Sequence, residues 1–145
     1  MKKEILIAVV DGQGGGIGKA IVARLKSEVP GVHIRALGTN SAATGNMLKA
    51  GAQDGATGEN AIVHNARKAD IIMGVLAILM PDSLLGELTP KMAEAIGSSE
   101  ARKILIPVDR CNIRIPYAEN YTIQQFVDSS VELAKRYCAE LQAES

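Results

Sequence analysis

The residues able to do chemistry in this chain are concentrated in one stretch, Asp11-Gly12-Gln13-Gly14-Gly15-Gly16-Ile17-Gly18, lying between an apolar strand and the start of a helix. Five glycines among these eight residues leave almost no side chain to hold a neighbour away, so the backbone amides can be approached closely. A helix opening near Ile17 adds amides without carbonyl partners and the positive end of a helix dipole, which together favour an anion, above all a phosphate. Asp11, Gly12, Gln13, Gly14, Gly15, Gly16, Ile17 and Gly18 are therefore the candidate cofactor-binding residues. Asp11 complicates this, because a carboxylate beside a phosphate is repulsive unless a cation, a sugar hydroxyl or a proton intervenes. A role for Asp11 in holding magnesium stays open on this reading.

Further polar residues fall where later strands should end. Gly38-Thr39-Asn40 offers Thr39 and Asn40 to ribose hydroxyls or a 2′-phosphate, with Arg35 on the strand before them. Asp109-Arg110-Cys111-Asn112 offers Arg110 to a phosphate or carboxylate, Asn112 as a hydrogen-bonding neighbour, and Cys111 as a polarisable or redox-active one. The simpler reading of this last segment is a polar loop with a half-buried cysteine. Thr57-Gly58-Glu59-Asn60 reads as a helix start, the Thr57 hydroxyl satisfying free amides and Glu59 favoured by the dipole. His33 is expected to face a helix and His64 to lie on the surface or in packing; two isolated histidines make no metal site.

The glycine spacing separates the known phosphate motifs. The loop G-x-x-x-x-G-K-[ST] would need glycine at Gln13 and a hydroxyl at Ala20, and the dinucleotide fingerprint G-x-G-x-x-G fails from Gly12 and from Gly14. G-x-x-x-G-x-G fits Gly12, Gly16 and Gly18, and with the continuation G-I-G-K-A-I-V-A-R-L it resembles the short-chain dehydrogenases and reductases. The resemblance implies NAD or NADP as ligand. It gives Gly12 the tight turn, Gly16 the close approach to pyrophosphate and Gly18 the packing of helix on strand. The chain departs from that family at Asp11, at Gly38-Thr39-Asn40 where an acidic residue often accepts the ribose, and in lacking Y-x-x-x-K: Tyr117 is followed four residues later by Tyr121, and Tyr137 by Leu141.

The elements that must position these residues follow from periodicity. Ile5 to Val10 is a continuous apolar run, expected of a parallel strand buried on both faces. A helix from about Ile17 to Glu28 places Ile17, Ile21, Val22 and Leu25 on one stripe, and Pro30-Gly31 ends it. Strands are expected at Val32 to Leu37, at about Ala52 to Thr57, from Asp70 to about Leu79 and from Lys103 to Val108. Helices are expected from Ser41, acting as cap, to about Lys49; from Thr57 or Gly58; from Pro90 after the Thr89 cap to Ile96; and from Ile123 to about Leu141 after a capping box at Thr122. Leu84-Leu85-Gly86 reads as a helical turn or an extended piece, and Ile113 to Pro116 as a short edge strand or hairpin arm. The order is that of an α/β chain: a single Rossmann-like domain over residues 1–145, doubly wound, with a mainly parallel sheet and helices on both faces.

Composition narrows the partners. Sixteen basic and sixteen acidic residues cancel, and one Phe, three Tyr and no Trp give little surface for stacking bases, so neither nucleic acid nor membrane is an expected partner. A strand beginning after Met1-Lys2-Lys3 leaves no room for a secretory signal, and the longest apolar run, Ile71 to Met80, is half a bilayer span; a cytoplasmic protein with reduced cysteines is expected.

Over nearly its whole length the chain resembles a family of small bacterial proteins defined only as a domain of unknown function. The resemblance rests on D-G-Q-G-G-G-I-G-K, A-L-G-T-N, G-A-T-G-E-N-A-I-V, G-E-L-T-P-K-M-A-E-A-I and I-P-V-D-R-C-N. It implies a one-domain Rossmann-like protein and no particular activity. Three expectations result: a nucleotide-binding domain with NAD or NADP as the leading ligand, a non-catalytic regulatory or interaction module that forms homo-oligomers, and a magnesium-dependent phosphoryl or nucleotide hydrolase using Asp11.

Overall fold

The computed structural model describes residues 3–108 and 112–144. Five strands, β1 (Leu6–Asp11), β2 (His33–Gly38), β3 (Asp54–Thr57), β4 (Ile71–Val75) and β5 (Arg102–Ile106), form one sheet in the order β3-β2-β1-β4-β5. Every neighbouring pair is parallel, with Asp11 opposite Gly38 and Val9 opposite Met73. Helices α1 (Gly16–Glu28), α2 (Ser41–Ala50), α3 (Glu59–Ala66), α4 (Pro90–Ser98) and α5 (Ile123–Glu144) make the crossovers and the C-terminal cover.

The continuous apolar run of β1 is explained by its two buried faces. Ile7 and Val9 point into a core shared with Ile21, Val22 and Leu25 of α1, Met47 of α2 and Val127, Val131 and Ala134 of α5. Ala8 and Val10 point the other way, into a core with Ile62 of α3 and Met92, Ala93 and Ile96 of α4. Ile21 and Leu25 are fully buried, and each contributes roughly 1.5–3 kcal/mol of burial free energy. Because β1 pairs with β2 on one side and β4 on the other, the winding reverses beside it, and the crevice at the carboxyl ends of β1 and β4 is the switch point.

Several elements differ from expectation for identifiable reasons. β4 stops at Val75 and continues as a 3₁₀ turn, Leu76–Leu79, which buries Ala77 and Ile78 instead of extending the sheet. β5 ends at Ile106 because Pro107 has no amide hydrogen for the ladder. Asn40, not Ser41, caps α2, its side chain accepting from the Ala43 amide at 2.8 Å. Gly58 precedes α3 with no side-chain cap, since the Thr57 hydroxyl is engaged with Thr44 Oγ1 at 2.7 Å. The capping box before α5 forms as expected between Thr122 and Gln125. That helix runs on to Glu144, where Glu140 and Glu144 accept from Arg102. Residues 113–116 form no strand, so the expected edge arm is absent there.

Candidate functional site

At the carboxyl end of β1 the chain turns sharply, with Gln13 and Gly15 left-handed at φ 49° and 71°. Gly15 precedes α1 without a side chain to cap it. The cap comes from behind: Asp11, buried at the strand end, accepts from the Gly12 amide at 2.8 Å and from the Gly18 amide at 2.6 Å. The carboxylate is thus tied to the start of α1 by its own backbone. Among the described residues no group of three His, Cys, Asp or Glu side chains could hold a metal ion.

The glycines divide by what surrounds them. A Cβ on Gly12 would lie 2.6 Å from Thr39 Oγ1, 2.8 Å from Leu84 Cδ1 and 3.0 Å from Glu87 Oε1; one on Gly18 would lie 2.7 Å from Met47 Sδ and 2.8 Å from Asp11 Oδ2. Gly15 needs its left-handed backbone and stands against Ala43. Close packing and a positive φ therefore account for Gly12, Gly15 and Gly18. Gly12 opens the tight turn, its carbonyl accepting from the Gly15 amide at 2.9 Å, and Gly18 packs against Met47 and Asp11. Gly14 and Gly16 are different: a Cβ on either would meet nothing within 4 Å, and neither has a positive φ.

The amides follow the same division. Gly12, Gln13, Gly15 and Gly18 all donate within the protein, Gly15 to the Gly12 carbonyl at 2.9 Å and Gln13 to Glu87 Oε1 at 2.8 Å. Those of Gly14, Gly16 and Ile17 donate to no acceptor among the described residues. They border a cavity of about 230 Å3 lined by Asp11, Gly12, Gln13, Gly14, Gly15, Gly16, Ile17, Val75 and Leu84. Its position, between the ends of β1 and β4, is the switch point.

Thr39 and Asn40 reach the other side of the turn, but their polar atoms are already engaged. Thr39 Oγ1 donates to Glu87 Oε1 at 2.6 Å, and Asn40 Nδ2 donates to the same oxygen and to the Gln13 carbonyl, both at 3.0 Å. These bonds hold the Glu87 carboxyl below the usual carboxylate range, the Thr39 hydroxyl contributing most, then the Gln13 amide. Asn46 of α2 adds a bond to the Gly14 carbonyl at 2.9 Å. Arg35 points elsewhere, making two bonds to Asp54 at 2.8 and 3.0 Å and one to Asn65, so it is not available to a 2′-phosphate. His33 also pairs with Asp54, at 3.0 Å, rather than facing a helix. His64 is exposed. Asn112, exposed and left-handed at φ 61°, does not line the cavity, and Arg110 and Cys111 lie outside the described residues.

Sequence reasoning missed Glu87, Leu84 and Val75. Val75 is the last residue of β4, and Leu84 and Glu87 come from the region after it, where the chain forms a compact strap. Asp82 donates to Leu88 and Leu88 back to Ser83, Ser83 Oγ bonds the Ala77 carbonyl at 2.6 Å, and Asp82, Leu84, Leu85 and Gly86 are all left-handed.

Sheet order, crossovers and an open glycine turn at the switch point define a doubly wound α/β domain of Rossmann type. Its family is established by sequence: the model of the domain of unknown function DUF3842 matches residues 6–139, and the chain belongs to that family. No match is found among curated proteins. Among solved structures the chain is similar to a dodecameric FMN-dependent Ubix-like decarboxylase from Escherichia coli O157:H7, with 14% identity over 88% of this chain and 74% of that one and a TM-score of 0.46. It is also similar to BdcA (YjgI) from E. coli, with 20% identity over 92% and 77% of the two chains and a TM-score of 0.44. At these identities the likeness is one of fold alone. Among the described residues no helix is long and apolar enough to cross a membrane.

Proposed function

We propose that this chain binds a small phosphorylated ligand of the nucleotide class, with a phosphate seated at the start of α1. The observation that carries the reading is the set of three uncommitted amides, Gly14, Gly16 and Ile17, bordering a cavity at the switch point. No acidic residue stands in the first turn of α1, and Asp11 satisfies Gly18 from the strand side, so the two amides ahead of Gly18 face the cavity. Bare glycines at positions 14 and 16, where the protein itself would tolerate a side chain, fit a surface kept clear for a ligand. Among the described residues the cavity wall pairs no nucleophile with a base, so the reading is one of binding.

Thermal shift and calorimetry with nucleotides and with inorganic phosphate test it, because a ligand selective for the folded state raises the melting temperature with concentration. Gly16→Asp should abolish the shift while the protein stays folded. An unchanged shift in a folded Gly16→Asp protein refutes this site.

A second reading, an interaction module that self-associates, draws on another surface. Tyr117, Tyr121 and Ile123 are 74%, 56% and 43% exposed, and Tyr121 and Ile123 line a groove with Pro107 and Val108, just past the edge strand β5. Light scattering across concentrations decides it: oligomers that Tyr121→Glu dissolves support this face, and a monomer throughout removes it.

A further inference from the structure

We infer that Glu87 makes the site selective for phosphomonoesters and closes it to dinucleotides. This rests on the phosphate-binding reading above and specifies its ligand class. In doubly wound domains a dinucleotide lays its pyrophosphate on the first helix and its adenosine ribose over the tip of the second strand. Here that tip is filled. Glu87 Oε1 takes the Gln13 amide at 2.8 Å, the Thr39 hydroxyl at 2.6 Å and the Asn40 amide at 3.0 Å, which are the donors a second phosphate would need. The carboxylate also stands 3.0 Å from where a Gly12 Cβ would be, on the path a second phosphate would follow, and like charges repel there.

Glu87 is fixed in this position by the strap that carries it. The strap is closed by the bonds between Asp82, Ser83 and Leu88, and it is rooted by Leu84 and Leu88, buried in the core formed with α3 and α4. Swinging Glu87 away would break three hydrogen bonds or lift those leucines. Val75, the last residue of β4, lines the cavity, whereas Glu87 occupies the donors at the tip of β2, so a ligand held by one phosphate extends toward β4 and not toward β2. A nucleoside monophosphate and a sugar phosphate share the terminal group this geometry accepts.

The test is calorimetry of the full chain with AMP, ribose 5-phosphate, inorganic phosphate and NAD, on wild type, Glu87→Ala and Glu87→Gln, with circular dichroism as the check of folding. Wild type should bind at least one of AMP, ribose 5-phosphate and phosphate more tightly than NAD by about tenfold or more. Glu87→Ala should raise NAD affinity by about tenfold while leaving the phosphomonoesters within a few fold, and Glu87→Gln, which keeps the bulk and loses the charge, should fall between. AMP against ribose 5-phosphate then shows whether a base or only a sugar is recognised. NAD binding wild type as tightly as the monoesters, or a folded Glu87→Ala protein with an unchanged preference, overturns the inference and leaves the phosphate site standing. No binding of any of these, inorganic phosphate included, overturns the phosphate site itself. If Glu87→Ala does not fold, the wild-type preference and the Glu87→Gln protein still decide.

Discussion

Two glycines separated by one residue should respond to substitution with opposite signs. Gly16 is the first residue of α1, its φ is not positive, and a Cβ there meets nothing within 4 Å. Gly16→Ala should therefore stabilise by about 0.4–1 kcal/mol through the unfolded chain's lost freedom. Gly16→Asp should gain roughly another 0.3–1 kcal/mol from an acidic residue in a first turn that now has none. At about 2–4 °C per kcal/mol for a chain of this size, Gly16→Asp melts roughly 1–8 °C higher than wild type. Gly18→Ala places its Cβ 2.7 Å from Met47 Sδ and 2.8 Å from both Asp11 Cβ and Oδ2. Overpacking of that kind costs about 1–3 kcal/mol, a fall of roughly 2–12 °C. The decisive assay pairs thermal melts with phosphate or nucleotide titration: Gly16→Asp should be more stable than wild type and bind at least about tenfold more weakly, through charge and bulk at the amides. A Gly16→Asp protein that is destabilised like Gly18→Ala would show that internal packing needs the glycine. The case for a surface kept clear for a ligand would then collapse.

Other consequences are checked in the same way. Hydrogen bonding from Arg35, opposed by burial and aided by His33, holds the Asp54 carboxyl below the ordinary range. Its stabilising contribution is therefore complete above the unfolded carboxylate value of about 4 and lost as pH falls through the lower folded value. Urea midpoints measured from pH 7 downward should show the wild-type advantage over Asp54→Asn shrinking below about pH 4, and a constant difference would contradict the ion pair. Gly38→Ala, whose Cβ would lie 2.2 Å from Thr44 Oγ1 and 2.6 Å from the Thr44 amide, should cost about 1–3 kcal/mol or more. A Gly38→Ala melting temperature equal to wild type would mean that the junction of β2 and α2 is looser than drawn.

The alternation of elements was legible because each of its signals is local. The run from Ile5 to Val10 had to be buried on both faces, Thr89-Pro90 had to start a helix, and the turn at residues 11–18 had to bring backbone amides to the end of β1. What pairs with those amides was not legible. Glu87 meets Gln13 from 74 positions away in the chain, and it does so through a strap in which Leu84 and Leu85 adopt φ 56° and 57°, a conformation that no propensity assigns to leucine. The fate of Arg35 was hidden for a related reason. Its partner Asp54 lies on β3, the strand with the weakest sequence signal, and only the register of β2 against β3 brings the two side by side. Local pattern placed the glycine turn at the tip of β1, and long-range pairing decided which of the polar groups around it are engaged.

Asp11 provides the last discrimination, because its two roles predict opposite outcomes. As the distant cap of α1 it needs both oxygens, one for Gly12 and one for Gly18. Asparagine keeps a single acceptor and turns an NH2 toward the other amide, so Asp11→Asn should lose about 1–3 kcal/mol, the cost of a buried donor left unsatisfied. It also removes a negative charge from the cavity wall, so inorganic phosphate should bind the variant more tightly than wild type, with or without magnesium. A magnesium ligand would behave the other way: the fold would be indifferent to the change, and phosphate binding would weaken only when the metal is present. Urea melts with calorimetry at zero and millimolar magnesium separate the two. An Asp11→Asn protein as stable as wild type, with magnesium-dependent loss of phosphate affinity, would support the metal reading and overturn the assignment of Asp11 as the cap that leaves the Gly16 and Ile17 amides open.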